Sequence, residues 1–212
     1  MVPEGSGAVR EADSRGPREA DRTGGTHVSR WWHHREPTPT GSVARVTDDQ
    51  LTSEAVHDTA IRRVQHAYAD VVNRRAWPEL EELFRPDAEV VIDRRAGEPL
   101  RLVGGGEVGA FIGSAIAHFT FFEFVVLNAH IVFPDGPEAG SAVCRLFMCE
   151  LRQDEAGRFS TAFGLYHDRY ARVDGRWWFA ERRYHSLARH GDVLDVFTLP
   201  THPGIDVPGA GV

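Results

Sequence analysis

The sequence predicts an α+β fold in which helices come first and antiparallel strands second. Apolar residues recur at three- and four-residue steps between Thr52 and Phe119, which is helical spacing. Long aromatic and β-branched segments then run from Phe121 to Ser186, with turn signals between them. Helices concentrated at one end of a mainly antiparallel chain pack on one face of a curved sheet.

Residues 1–46 are rich in Gly, Pro, Ser, Thr and charge and have neither period, so they predict a disordered N-terminal extension. Within them, Arg30-Trp31-Trp32-His33-His34-Arg35 reads either as a solvated patch or as a docking segment. Two adjacent His residues chelate a metal poorly without further ligands. The folded domain is expected over 47–192. Val56, Ile61, Val64, Tyr68, Val71 and Val72 predict a first helix from Thr52 to Arg75, with Thr52 as N-cap. Pro78 at a first turn, early Glu79, Glu81 and Glu82, and the stripe Trp77, Leu80, Leu83 and Phe84 predict a second, ended by Arg85-Pro86-Asp87.

Ala88–Ile92 reads as a short strand, and Gly104-Gly105-Gly106 as a turn into a third helix bearing Val108, Phe111, Ile112, Ala115 and Phe119. His118 closes that helix, where a cation suits the C-terminus. Four strands follow over Phe121–Phe133, Ser141–Arg152, Phe159–Val173 and Arg176–Ser186, separated by Pro134-Asp135-Gly136, Asp154-Glu155-Ala156-Gly157 and Asp174-Gly175. The Pro- and Gly-rich residues 193–212 predict a loose C-terminal tail.

At 212 residues, with 42% hydrophobic and 26% charged, the chain can bury one substantial core. The net charge is -7, and all 24 basic residues are Arg, which is no nucleic-acid footprint. The most apolar run, Phe119 to Leu127, is interrupted by Thr120 and Glu123 and is too short to span a membrane. The N-terminal residues show neither an apolar secretory segment nor an acid-poor transit composition, so a cytoplasmic location is expected. Cys144 and Cys149 lie on one predicted strand, with Cα atoms roughly 16 Å apart, too far for a disulfide.

Trp77-Pro78-Glu79-Leu80, Leu83-Phe84-Arg85-Pro86-Asp87-Ala88 and Val173-Asp174-Gly175-Arg176-Trp177-Trp178 occur in order, with a Tyr on the first helix. In combination they resemble the SnoaL-like branch of the NTF2-like superfamily over about Thr52 to Arg189. The resemblance implies a cone of three N-terminal helices on a curved mixed sheet, open at one end as a pocket. Its members include polyketide cyclases, scytalone-type and bile-acid-type dehydratases, ketosteroid isomerases, ring-hydroxylating dioxygenase small subunits and noncatalytic proteins, so fold alone does not name the chemistry. The dehydratase branch aligns its Tyr with Tyr68, but its Asp falls on Asn73 and its His on Phe124. An amide and a phenyl ring cannot run that Asp–His proton transfer. Dimerisation through the outer sheet face is common in the family, which implies a homodimer.

Strand alternation places Gly164, Tyr166, Asp168 and Tyr170 on one face, and Leu165, His167 and Arg169 on the other. His167 reads as a general acid or base or as a surface His, and His130 as a pocket residue or a satisfied polar residue near a strand end. Glu150 follows the apolar row Cys144, Leu146 and Met148, so it is either a carboxylate poised in an apolar pocket or the strand's exit into solvent toward Arg152. Arg182 or Arg183 shares a face with Trp178 and Tyr184, either to anchor an acidic or enolate oxygen or to pair with Glu181 or Asp168.

The candidate catalytic set is therefore Tyr68, Asn73, Glu150, His167 and Asp168. The candidate substrate-binding set is Trp77, Phe111, Phe124, His130, Met148, Tyr166 and Arg182. The run Gly104 to Gly109 lacks the Gly-Lys-Ser/Thr ending of a phosphate loop, and no nucleophile elbow or His-Glu-x-x-His motif occurs. No metal and no cofactor is expected. The leading expectation is a pocket for an apolar cyclic metabolite with lyase, isomerase or cyclase chemistry. The alternative is a noncatalytic ligand-binding or accessory subunit resembling a dioxygenase small subunit.

Overall fold

Helix α1 (Asp48–Arg74) begins one turn earlier than its apolar stripe suggests. Thr47, not Thr52, is the N-cap: its side chain accepts from Gln50 N, Gln50 reaches back to the Thr47 backbone, and Asp48 and Asp49 sit in the first turn. Thr52 instead donates its hydroxyl to Asp48 O at 2.8 Å. The computed structural model describes residues 47–95, 97–189, 192–193 and 205, all within the compact unit 45–212. The expectations for 1–46, including Trp31-Trp32-His33-His34, and for most of 193–212 lie outside the described residues.

After α1 come a 3-10 helix (Trp77–Glu82), β1 (Phe84–Asp93), β2 (Leu100–Val103) and α2 (Gly104–Ala115). Long strands β3 (Phe119–Val132), β4 (Ser141–Asp154), β5 (Phe159–Val173) and β6 (Arg176–Arg189) follow, then the short β7 (Asp192–Val193). The predicted second α-helix is thus a 3-10 helix, and the third lies beyond two strands, so the helices are not three consecutive N-terminal ones. Pro86 does not end a helix. It lies in β1, where the register slips between Phe84 and Glu89, a place where a missing N–H is tolerated.

The predicted Gly104-Gly105-Gly106 turn is the first turn of α2. A Cβ on Gly105 would lie 2.3 Å from Leu80 O, so these glycines let α2 lie directly against the 3-10 helix. Phe119, expected on that helix, opens β3 instead. Strands β3 to β6 match the predicted segments closely, and Asp174-Gly175 makes the expected hairpin turn with φ of 51° and 79°.

The sheet order is β2-β1-β6-β5-β4-β3, with β7 on β6, and among the described strands only the β1–β6 pair is parallel. Helix α1 packs on both β3 and β6 and α2 packs on β1, so the curved sheet wraps around the helices. Ile61, Gln65, Tyr68, Val71 and Val72 form the buried face of α1. They meet Leu146, Met148, Tyr170, Phe179 and Tyr166 from the inner faces of β4, β5 and β6. Both cysteines are free and buried, as their spacing predicts. Among the described residues no helix is long and apolar enough to cross a membrane.

Candidate functional site

A cavity of about 360 Å³ opens between α1, α2 and the inner face of the sheet. Its apolar wall includes Val72, Val108, Phe111, Ile112, Ile116, Phe119, Phe122 and Phe124. Polar groups enter from few directions: Tyr68 from α1, Glu150 and Arg152 from β4, Tyr166 from β5, and Arg182, Tyr184 and Arg189 from β6. His118 and Arg94 complete the rim.

Cross-strand register explains this convergence. Leu146 pairs with Tyr166 and Tyr166 with Tyr184, while Glu150 pairs with Ala162 and Ala162 with Arg189. Side chains of one parity on β4 and β5 therefore fill one wall, and the register slip between Phe163 and Gly164 brings Arg189, opposite in parity to Tyr184, onto that same wall. Gly164 leaves the space that the Tyr184 ring occupies, since a Cβ there would lie 2.3 Å from Tyr184 Cε2.

Arg182 is 2% exposed and is held from behind by Asp168, 1% exposed. Its Nε donates to Asp168 Oδ1 and its Nη2 to Oδ2, each at 2.8 Å. Tyr170 donates its hydroxyl to Asp168 Oδ2 at 3.0 Å, and Gln65 Nε2 donates to the Tyr170 oxygen at 3.1 Å. The guanidinium also lies 4.1 Å from the Tyr166 and Phe179 ring centroids and 4.4 Å from that of Tyr68. Burial alone would lower its pKa, but the Asp168 charge and hydrogen bonds outweigh it and hold the group well above its ordinary value. Arg182 is a fixed cation whose Nη1 is buried without a hydrogen-bond partner.

Burial raises the pKa of Tyr68 and, further, of Tyr166, while the Arg182 charge pulls partly the other way. Both phenols therefore stay protonated at neutral pH and act as donors. Glu150 is the one carboxylate on the cavity wall among the described residues. Its side chain is 15% exposed and in contact with Arg152, itself 12% exposed. The reading of Glu150 as the strand's exit into solvent is thereby corrected: both residues remain on the inner face.

The candidate residues separate cleanly. Tyr68, Glu150, Tyr166, Arg182, Phe111 and Phe124 line the cavity together. Asp168 touches it only through Arg182. Asn73 does not belong to it: its Oδ1 accepts from Phe124 N at 2.6 Å and its Nδ2 donates to Phe124 O at 3.1 Å, so both ends of the amide tie α1 to β3. The two positions that the resemblance aligns with an Asp–His pair are thus spatial neighbours, but they perform a structural task.

His167 lies on the opposite face, its ring 5.1 Å from that of His185, as alternation along β5 requires. His130 is exposed, because the register slip between Val126 and Asn128 turns Ala129 and Ile131 inward instead. Trp77 packs on α2, where Cβ atoms at Gly109 and Gly113 would come within 3.1 and 3.0 Å of it, and Met148 is a core residue with 0% exposure. Trp178 does not share a face with Tyr184, since β6 slips register opposite Arg169 and Tyr170 and Trp177 and Phe179 face the core.

Arg152, Arg189, Arg94 and Tyr184 were not among the expected site residues. Arg152 carried a legible signal, lying two positions beyond Glu150 on the same strand face. Among the described residues no group of three or more His, Cys, Asp or Glu is placed to hold a metal.

A family model described as a SnoaL-like domain matches residues 53–183. Among solved structures, a candidate scytalone dehydratase from Novosphingobium aromaticivorans is similar, with 20% identity, TM-score 0.57, and coverage of 72% of this chain and 96% of that one. A hexachlorocyclohexane dehydrochlorinase, LinA type 3, from Novosphingobium barchaimii has 16% identity, TM-score 0.57, and coverage of 71% and 99%. An NTF2-like protein with a cystatin-like fold from Novosphingobium aromaticivorans has 16% identity, TM-score 0.55, and coverage of 69% and 92%. At these identities the likeness is one of fold. Among curated proteins, none matches.

Proposed function

The chain belongs to the SnoaL-like domain family, and on that premise we propose that its cavity binds an apolar cyclic metabolite and catalyses cofactor-independent proton transfer, as in isomerisation, cyclisation or elimination. One observation carries this reading: a single carboxylate, Glu150, shares a largely apolar cavity wall with the protonated phenols of Tyr68 and Tyr166 and the buried Arg182 guanidinium.

In this scheme Glu150 takes a proton from carbon next to a carbonyl, and the developing oxyanion is met by the Tyr68 and Tyr166 hydroxyls with Arg182 behind them. The donors need no reorganisation. Asp168 fixes the guanidinium in two hydrogen bonds, and three rings enclose it. The apolar wall from Phe111 to Phe124 lowers the local polarity and so strengthens each electrostatic interaction. For an elimination, the same base starts the step and a phenol donates to the leaving group.

Glu150→Gln should keep ligand binding and lose roughly 10²–10⁴-fold in turnover, and Tyr68→Phe should lose about 10²–10³-fold as a missing oxyanion donor. Unchanged turnover in both variants contradicts the scheme.

A specific observation favours a noncatalytic second reading. Asn73 is spent on the Phe124 backbone, so the Asp–His relay of the dehydratase branch has no counterpart at those positions. Saturable ligand binding without turnover of any bound compound would favour it. The homodimer stays part of the proposal: the outer sheet face exposes Phe121, Phe159 and Phe163, with the first two rings stacked at 5.9 Å. Sedimentation of Phe163→Glu against the parent protein tests it. A parent that sediments as a monomer refutes it. A cytoplasmic location remains part of the proposal too, testable by cell fractionation.

A further inference from the structure

The charge on the cavity wall is opposite to that of the chain. The protein carries a net charge of -7, yet Arg94, Arg152, Arg182 and Arg189 line the cavity against one carboxylate, Glu150. Asp168 neutralises Arg182 from behind, and Glu150 engages Arg152. Among the described residues no anionic partner is found for Arg189 or for exposed Arg94.

Three guanidinium nitrogens are also buried without a hydrogen-bond partner: Arg152 Nε, Arg182 Nη1 and Arg189 Nε. All three belong to side chains on this one cavity. A buried donor left unpaired is destabilising, and more so when it is charged. Such groups in one place call for an acceptor that arrives from outside the chain. Arg182 sits by the phenols, where the proposed chemistry needs an oxyanion donor. Arg152 and Arg189 belong to the other end of the wall, where Glu150, Ala162 and Arg189 lie across three neighbouring strands.

Resting on the reading of this cavity as a site for a cyclic metabolite, we infer that its ligand is an anion: a ring system bearing a carboxylate. The rings lie among Phe111, Phe122 and Phe124, and Arg189, helped by Arg152, takes the carboxylate. Planar guanidinium groups suit a carboxylate because they donate in parallel pairs. Glu150 repels an anion, but Arg152 already holds it, and the wall keeps an excess of cations. Its carboxylate thus stays available to a ring C–H rather than to the ligand's charged end.

The test compares matched pairs of probes by calorimetry: 2-naphthoate, indole-3-carboxylate and fluorene-9-carboxylate, each against its primary amide. The inference expects each bound acid to exceed its amide by about tenfold or more, the worth of one hydrogen bond between charged groups. This preference should shrink with added salt. Arg189→Gln should abolish the preference while the amide binds as before, and Arg189→Lys, which keeps the charge but not the paired donors, should keep only part of it. Equal or tighter binding of the amides overturns the anion inference and leaves the cavity reading intact. A preference that survives in a folded Arg189→Gln protein overturns the role of Arg189. If no acid and no amide binds saturably, both the inference and the cavity reading fail.

Discussion

Replacing Asp168 by Leu exposes how much of the site rests on one buried ion pair. The pair is sealed, with side chains 0% and 2% exposed, and the Asp168 carboxylate accepts two 2.8 Å bonds from Arg182. Losing the carboxylate leaves a guanidinium enclosed by aromatic rings with no counter-charge, a change that costs about 3–5 kcal/mol. For a domain of this size each kcal/mol moves Tm by roughly 2–4 °C, so Asp168→Leu should melt about 6–20 °C below the parent. Replacing both partners by apolar groups removes the uncompensated charge, and Asp168→Leu with Arg182→Met should recover most of the loss. Circular dichroism melts of the parent, both single variants and the double variant complete the cycle. The double variant should be stable yet catalytically poor, because it lacks the oxyanion cation. A single-variant loss below about 3 °C, or a double variant less stable than Asp168→Leu, would refute the reasoning.

Asn73→Ala should cost about 1–3 kcal/mol, because it strips partners from the Phe124 N–H and C=O, but should leave turnover per folded molecule unchanged; a melt paired with a rate measurement checks this. All 4 tyrosines have pKa values raised above 10, for which burial is the leading cause in each. The native fold favours the neutral phenols, so this stability is complete below pH 10 and is lost as pH rises beyond it. Absorbance at 295 nm should accordingly rise together with unfolding, and a phenol titrating near pH 10 in the folded protein would contradict the burial. Gly164→Ala should cost about 1–3 kcal/mol by overpacking and weaken ligand binding, since its Cβ would meet the Tyr184 ring at 2.3 Å and Met148 Sδ at 2.9 Å.

Much of the cavity was legible because β4 and β5 pair without a slip from Ser141 to Gln153. Period-two alternation therefore separated Tyr166 and Asp168 from His167, and aligned Glu150 behind Met148. It failed where a strand bulges. The slips after Val126 in β3 and opposite Arg169 in β6 reverse parity, which sends His130 outward and Trp178 away from Tyr184. A bulge is decided by long-range pairing and leaves little local trace. The apolar stripe points to Thr52 as the cap, but Thr47 has the Gln three residues on that completes a capping box, whereas Thr52 is followed at that spacing by Ala55 and spends its hydroxyl on Asp48 O. The segment from Trp77 has helical chemistry, yet close packing of α2 through Gly105 coincides with a short 3-10 turn. Asn73 reads as chemical from the sequence because it stands where the resemblance places an Asp. Its true partners are backbone atoms 51 residues away, which no spacing rule reveals.

In the proposed reaction Glu150 removes a proton from carbon while the phenols and Arg182 hold the resulting oxyanion. Proton NMR in deuterium oxide reads this directly, by following the acidic C–H signals of cyclic ketones and keto acids that bind the protein. The C–H signal next to the carbonyl should be lost in a catalysed reaction that is abolished in Glu150→Gln while binding persists. Tight binding with no exchange above the uncatalysed rate, or exchange undiminished in Glu150→Gln, would contradict the proposed reaction.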